Sequence, residues 1–468
     1  MDKAEIPFLS ATTLAELIKN RQVSSVEAVE AYLDRIDSLN SRLFAYLTVC
    51  REEALRAAAE ADLTLSQRRD VGPMHGVPVA VKDQIYSAGI RTTGGTPIFK
   101  NFVPNEDATV LANLKSAGAV LLGKLNMTEF ATTGLSHAFD TARNPWDLER
   151  FTGGSSSGSG AATAAFMCAA SLGEDTGGSV RFPATWCGLV GLRPTWGRVS
   201  RYGVMPGVWS MDQIGPITRT VEDCALTLQA IAGRDPKDRY TCSLPVPDYR
   251  RALDGEIKGL RVGVVKEMLH NQDVVPEVRE AITTAANGLG KLGAQVDEVS
   301  IPMTSHAATI SSSIRVEAPT NYRNLLLNHL KEIHHDNRIG FLTNNIMPAT
   351  AYYKALKLRE LLKQETLEAL ENFDLLVTPT AGVAAQKIEP DPTIDSQKSP
   401  GRTPWLLTTA FSLANVPAAS ICCGFTSDGL PIGIQIAGRL FEEGKILNVA
   451  YAYEQANEWR NRKPQLQA

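Results

Sequence analysis

The stretch from Phe151 to Pro183 limits what this chain can become more than any other. It opens with a Gly/Ser loop, Gly153 to Gly160, and runs through an Ala-rich segment, Ala161 to Ala170. A second glycine turn, Thr176-Gly177-Gly178, then presents Ser179. Alanine has no side-chain entropy to lose and packs closely, so Ala161 to Ala170 is predicted as a buried helix. A single Gly/Ser run is usually a linker or an ordinary turn. A linker has no reason to enclose an apolar helix, so the two runs are read together as one site. Glycines let backbone N–H groups approach a ligand without a Cβ in the way. A hydroxyl beside such donors supplies what acyl transfer needs: a nucleophile, and N–H groups for the oxyanion that forms.

The rest of the chain alternates strand and helix. Val77 to Val81 is a continuous apolar run with Lys82 at its end, and reads as a buried strand. Thr109 to Ala117 reads as a helix and Ala119 to Gly123 as a second buried strand. The pattern resumes with Leu260 to Val265, Pro276 to Leu292 and Ala294 to Val299. Leu375 to Thr378, Ala419 to Cys423 and Gly433 to Ala437 are short apolar strands after a long helix, Ala351 to Asn372. This alternation predicts an α/β fold layered around a largely buried sheet. Residues 1–65 are expected to form a helical layer. Within them Ser24 and Glu27 have the spacing of a capping box, and Val26, Val29, Leu33 and Ile36 recur with helical period. Residues 66–468 are expected to be one α/β core. Trp186 to Pro216, rich in Gly, Pro and aromatics, is predicted irregular and packed on the site. Asp235 to Gly259 reads as a joint between halves. Met303 to Met347 is polar and His-rich, which suits a substrate-side insertion around 303–350.

Charge and cysteine usage exclude several classes. A net charge of −4 with both signs scattered offers no basic stripe for nucleic acid. No run of 18 apolar residues could span a membrane, and no leader is expected at Met1. Seven cysteines, spread out apart from Cys422-Cys423, fit reduced thiols and a cytoplasmic protein better than a disulfide framework. No metal-ligand spacing is present, and His334-His335 reads as a solvated face.

A serine hydroxyl needs a base. A Ser–His–Asp triad is assembled in space and stays open, with His75 and His137 as its candidates. Lysine is the alternative, provided that burial or positive charge keeps it neutral. Lys82, directly after Val-Pro-Val-Ala-Val, is placed to be desolvated.

Ser155 of Gly-Gly-Ser-Ser and Ser179 of Asp-Thr-Gly-Gly-Ser stand 24 residues apart. Together with Val-Ala-Val-Lys-Asp at 79–83, Lys-Leu-Asn-Met-Thr-Glu-Phe at 124–130, Arg-Asn-Pro-Trp-Asp at 143–147 and Gly-Leu-Pro-Ile-Gly-Ile-Gln at 429–435, this resembles the amidase signature family along nearly the whole chain. Ser157 departs from the family loop, which has glycine there. The resemblance implies a large mixed, mostly buried β-sheet covered by helices on both faces. It implies Ser179 as nucleophile, Ser155 as relay after a cis peptide bond, and Lys82 as base. The backbone N–H groups of Thr176, Gly177, Gly178 and Ser179 would form the oxyanion hole. No metal or cofactor is implied. The partner is a small-molecule amide; neither nucleic acid nor membrane is expected to be bound directly, and a homodimer is compatible with the chain.

Members of the family differ in the amide they take. Met127, Trp405 and Arg359 are candidate pocket residues. In glutamine-hydrolysing members the residue matching Arg359 grips the substrate carboxylate, and an acid ahead of Leu-Ala-Gly-Val-Pro holds the amino group. Here the matching motif is Leu413-Ala414-Asn415-Val416-Pro417, and Thr403 to Ser412 contains no acid. Trp405 stands near the expected place. An apolar wall predicts an aryl or alkyl amide. The glutamine-hydrolysing component of a tRNA-dependent amidotransferase, and an esterase or urethanase on the same site, are the alternatives.

Overall fold

The computed structural model describes residues 2–67, 71–132, 138–388 and 406–466. Its strands are β1 (Tyr46–Val49), β2 (Pro78–Lys82), β3 (Val120–Leu125), β4 (Arg143–Asn144), β5 (Asp147–Phe151), β6 (Ala170–Glu174), β7 (Val190–Arg193), β8 (Ile214–Thr218), β9 (Arg261–Val265), β10 (Gln295–Val299), β11 (Leu375–Pro379), β12 (Ala418–Phe425) and β13 (Pro431–Gly438). Eleven of them form one sheet in the order β1-β3-β2-β6-β8-β7-β12-β13-β11-β9-β10, while β4 and β5 pair separately. The sheet is mixed. β3, β2 and β6 run parallel, as do β11, β9 and β10, and antiparallel pairs join these two groups. Every residue of β2, β3, β6, β7, β8, β11 and β13 is buried. Successive strand residues point to opposite faces, so both faces of the sheet's centre are covered. The edge strand β10 instead exposes Asp297 and Glu298, charges that discourage pairing with another chain.

Local chemistry explains most boundaries. The helix Ser25–Leu43 starts with the expected capping box between Ser24 and Glu27. Pro276 takes the first turn of the helix Pro276–Lys291, where its missing N–H costs nothing. The long helix is Ala349–Asn372. Among the described residues no helix is long and apolar enough to cross a membrane.

One expectation needs correction. The helix in the central stretch is Ser157–Ala164, and Ala170 already belongs to β6. Phe166 takes the left-handed conformation, with φ of 59°, and turns the chain back into the sheet. Trp186 to Pro216 is irregular from Pro194 to Gln213, as expected, and regular only toward its ends. It contains the end of the helix Arg181–Cys187, β7 and the start of β8. Central positions in a buried sheet outweigh the weak β propensity of Gly and Pro. Residues 303–345 fold into short helices, among them Ala307–Ile314 and His335–Asn345.

Candidate active site

β2 and β6 lie side by side in parallel, with Val79 opposite Ala170 and Val81 opposite Leu172. That register brings the ends of the two strands together, and with them Lys82 and Glu174. Both side chains are sealed from solvent, at 0% and 1% exposure. Lys82 Nζ lies 2.6 Å from Ser155 Oγ, 3.2 Å from the Glu174 carbonyl oxygen and 3.3 Å from Glu174 Oε2. Burial lowers the Lys82 pKa, opposed by the Glu174 carboxyl beside it. Burial pushes the Glu174 carboxyl up to about 7. Thr176 supports that direction. Its hydroxyl lies 2.8 Å from Glu174 Oε1 and 2.7 Å from Asp212 Oδ1. One hydroxyl proton can serve only one of two carboxylates. A proton held on Glu174 satisfies both contacts.

The serine loops are tied to each other through the backbone. The Gly154–Ser155 peptide bond is cis. Thr128 N donates to the Ser155 carbonyl at 3.1 Å, and Ser156 N to the Ser179 carbonyl at 3.3 Å. Gly178 has φ of +135°, and a Cβ there would lie 2.1 Å from Thr408 Oγ1, so only glycine fits. Ser155 and Ser179 line one cleft without a hydrogen bond between their hydroxyls.

Asp175 organises the turn. It accepts from Gly178 N at 2.7 Å and Val180 N at 3.2 Å, and from Arg181 Nε and Nη2 at 3.0 Å each. Burial alone would raise the Asp175 pKa; the Arg181 and Arg193 guanidiniums outweigh it and hold the carboxyl well below the usual range. The Gly178 N–H is therefore committed to Asp175, a correction to the expected set of four free donors. The N–H groups of Thr176, Gly177 and Ser179 bond to no described residue. Arg181 is fully buried and also donates to Gln435 Oε1 at 2.6 Å and Ser412 Oγ at 2.7 Å. Arg181→Met would leave Asp175 a buried charge with two of its five hydrogen bonds and one of its two guanidinium partners gone. A loss of about 3–5 kcal/mol of stability is expected. Urea unfolding measures it, and a change under about 1 kcal/mol would contradict this account of the turn.

Phe151 and Phe182 form an apolar wall of the cleft, backed by Trp186 and Ala385. Thr128, Thr132, Thr408 and Arg315 add polar lining. Of the candidate pocket residues, Met127 is buried, and the neighbouring Thr128 reaches the cleft instead. Arg359 is not part of the cleft lining: it donates to Leu413 O, Ser210 Oγ and Ser210 O. Trp405 lies outside the described residues, as does His137. His75 contacts Ala61 O at 2.9 Å, before the far end of β2, roughly 13 Å or more from Lys82 along the strand. Sequence reasoning missed Glu174, Asp212 and Arg315. Glu174 carried a faint signal, a charge ending an otherwise small and apolar strand; the other two carried none.

Residues 27–447 match the family described as Amidase. The chain is 42% identical to a glutamyl-tRNA(Gln) amidotransferase component from Moorella thermoacetica, over 99% of each chain. The solved peptide amidase of Stenotrophomonas maltophilia is 31% identical, with a TM-score of 0.85 over 97% of this chain and 98% of that one. A bacterial aryl acylamidase of the amidase signature family superposes with a TM-score of 0.88 at 25% identity, covering 97% of each. The sheet, the paired serine loops and these matches agree, and the chain belongs to the amidase signature family, enzymes that act on amide C–N bonds.

Proposed function

We propose that this chain hydrolyses a carboxylic amide through an acyl-enzyme on Ser179, with Ser155 as relay and Lys82 as base. The observation that carries the reading is the sealed Lys82 Nζ, 2.6 Å from Ser155 Oγ, beside the cleft that Ser179 lines. Burial favours the neutral amine, the form able to accept a proton. Lys82 takes the Ser155 proton as Ser155 takes that of Ser179, and Ser179 Oγ bonds to the carbonyl carbon. The oxyanion faces the uncommitted N–H groups of Thr176, Gly177 and Ser179. Collapse breaks the C–N bond, and the proton returns through Ser155 to the leaving nitrogen. Water then cleaves the acyl-enzyme by the same route. Catalytic hydrogen bonds often tighten only with substrate present, and the Ser155–Ser179 bond is the one expected to do so.

The Phe151–Phe182 wall supports an aryl or alkyl amide. Among the described residues no carboxylate that could hold an α-amino group lines the cleft. A second reading, the glutamine-hydrolysing component of an amidotransferase, is favoured by the 42% identity over the full chain. Rates on glutamine and on a panel of anilides and alkyl amides decide between them. Faster ammonia release from glutamine than hydrolysis of any other amide would overturn the first reading.

A further inference from the structure

Arg315 caps the C-terminal end of the helix Ala307–Ile314 and lines the cleft beside Ser155, Ser179 and Thr408. A Cβ placed on Gly177 would lie 3.7 Å from Arg315 Nη2, so the guanidinium stands against the turn that presents Ser179. Its side chain makes no hydrogen bond and no ion pair with any described residue. The other ionisable groups around the two serines have partners. Arg181 and Arg193 share Asp175, and Lys82 faces Glu174. The oxygens of Asp212 are taken by Thr176 and by the N–H groups of Gly207 and Val208. Asp212 and Glu174 act on Arg315 only through space. With the proton on Glu174 and Lys82 neutral, the three guanidiniums of Arg181, Arg193 and Arg315 stand against the two carboxylates of Asp175 and Asp212 among the described residues, and Arg315 is the guanidinium that faces the cleft.

A guanidinium has five donors and cannot lose its charge, so a half-buried one with no partner among the described residues favours an anionic ligand in the cleft it lines. A planar carboxylate is its best-fitting partner, because two parallel N–H···O bonds form at once. We propose that Arg315 binds a carboxylate of the substrate, so that the amide hydrolysed is a carboxylate-bearing one, of the class of short dicarboxylic half-amides. The inference rests on the reading of Ser179 as nucleophile, because that places the scissile carbonyl beside the guanidinium. It gives the alkyl or aryl amide an anionic end. The guanidinium stands against the turn that presents Ser179, which favours a short spacer between amide and carboxylate.

The test separates binding from chemistry. Ser179→Ala protein is titrated calorimetrically with succinamate and glutaramate, and with the neutral diamides succinamide and glutaramide. A half-amide is expected to bind tighter than its diamide by about 30-fold or more. That preference should collapse when Arg315→Met or Arg315→Gln is added, and Arg315→Lys should restore part of it. The Arg315 side chain holds no other described group in place, so these variants are expected to fold. No preference in the parent protein, or a preference that survives both neutral variants, overturns the proposal. In turnover by the Ser179 protein, the ratio of kcat/KM for half-amide to that for diamide should fall by the same factor on Arg315→Met. An equal loss on both substrates would mean that Arg315 serves the oxyanion rather than a substrate carboxylate, and would also overturn it. Failure of the acyl-enzyme reading shows elsewhere, as turnover surviving Ser179→Ala, and leaves the binding result standing.

Discussion

Ser179→Ala is expected to lower kcat/KM by about 10⁴-fold or more on every amide tested, with the fold unchanged. The size follows from covalent catalysis. Without the Ser179 oxygen no acyl-enzyme forms, and only the uncommitted N–H groups and binding remain to assist water. The side chain is half-buried and makes no hydrogen bond to a described residue, so its removal should cost little stability. Activity above about a hundredth of wild type would be incompatible with Ser179 as nucleophile. Mass spectrometry gives an independent readout: a slowly hydrolysed ester should leave its acyl group on the peptide containing Ser179, and on no other.

Lys82→Arg is expected to be about as damaging as Lys82→Ala, with losses of about 10²–10⁴-fold, because arginine cannot surrender a proton near neutrality. The pH dependence carries the sign. Burial lowers the Lys82 pKa, and the relay needs the neutral amine, so the rate falls as pH drops through that pKa. Glu174 shares in this step: whenever it gives up its proton, a carboxylate 3.3 Å from Nζ favours the ammonium form and raises the lysine pKa. Glu174→Gln removes that influence, so the acid limb of kcat/KM should move to lower pH. A limb that stays in place, or moves up, would mean that Lys82 is not the group being titrated. A histidine base makes the opposite forecast. Lys82→Arg would then keep substantial activity, and His75→Ala or His137→Ala would abolish it. The position of His75 beyond the far end of β2 argues against the first of these.

Much of this enzyme is written in short-range pattern. The strand ending in Lys82, the strand at Leu375 to Pro379 and the helix from Pro276 announce themselves through apolar runs and capping chemistry, which act within a few residues. The glycine turns do so too, because only glycine tolerates the φ and the close Thr408 contact at Gly178. Alanine favours a helix wherever packing allows one, which places the central helix too late in the chain; it starts at Ser157, ends at Ala164, and Phe166 turns the chain toward β6.

Local pattern therefore accounts for the α/β alternation, the two serine loops and a lysine poised for burial. The electrostatics of the cleft arise at a different level, from the packing of distant segments. Glu174 meets Lys82 across 92 positions of chain because β2 and β6 pair in parallel, and no local pattern specifies that pairing. The Gly178 N–H is withdrawn from the set of free donors by the Asp175 carboxylate, which needs the whole turn in place. Arg359 is drawn to Ser210 and Leu413, while Arg315, from a segment without readable periodicity, takes the position facing the serines. Charges act over distances set by the folded chain and not by spacing along it, so their partners emerge only when the layers close.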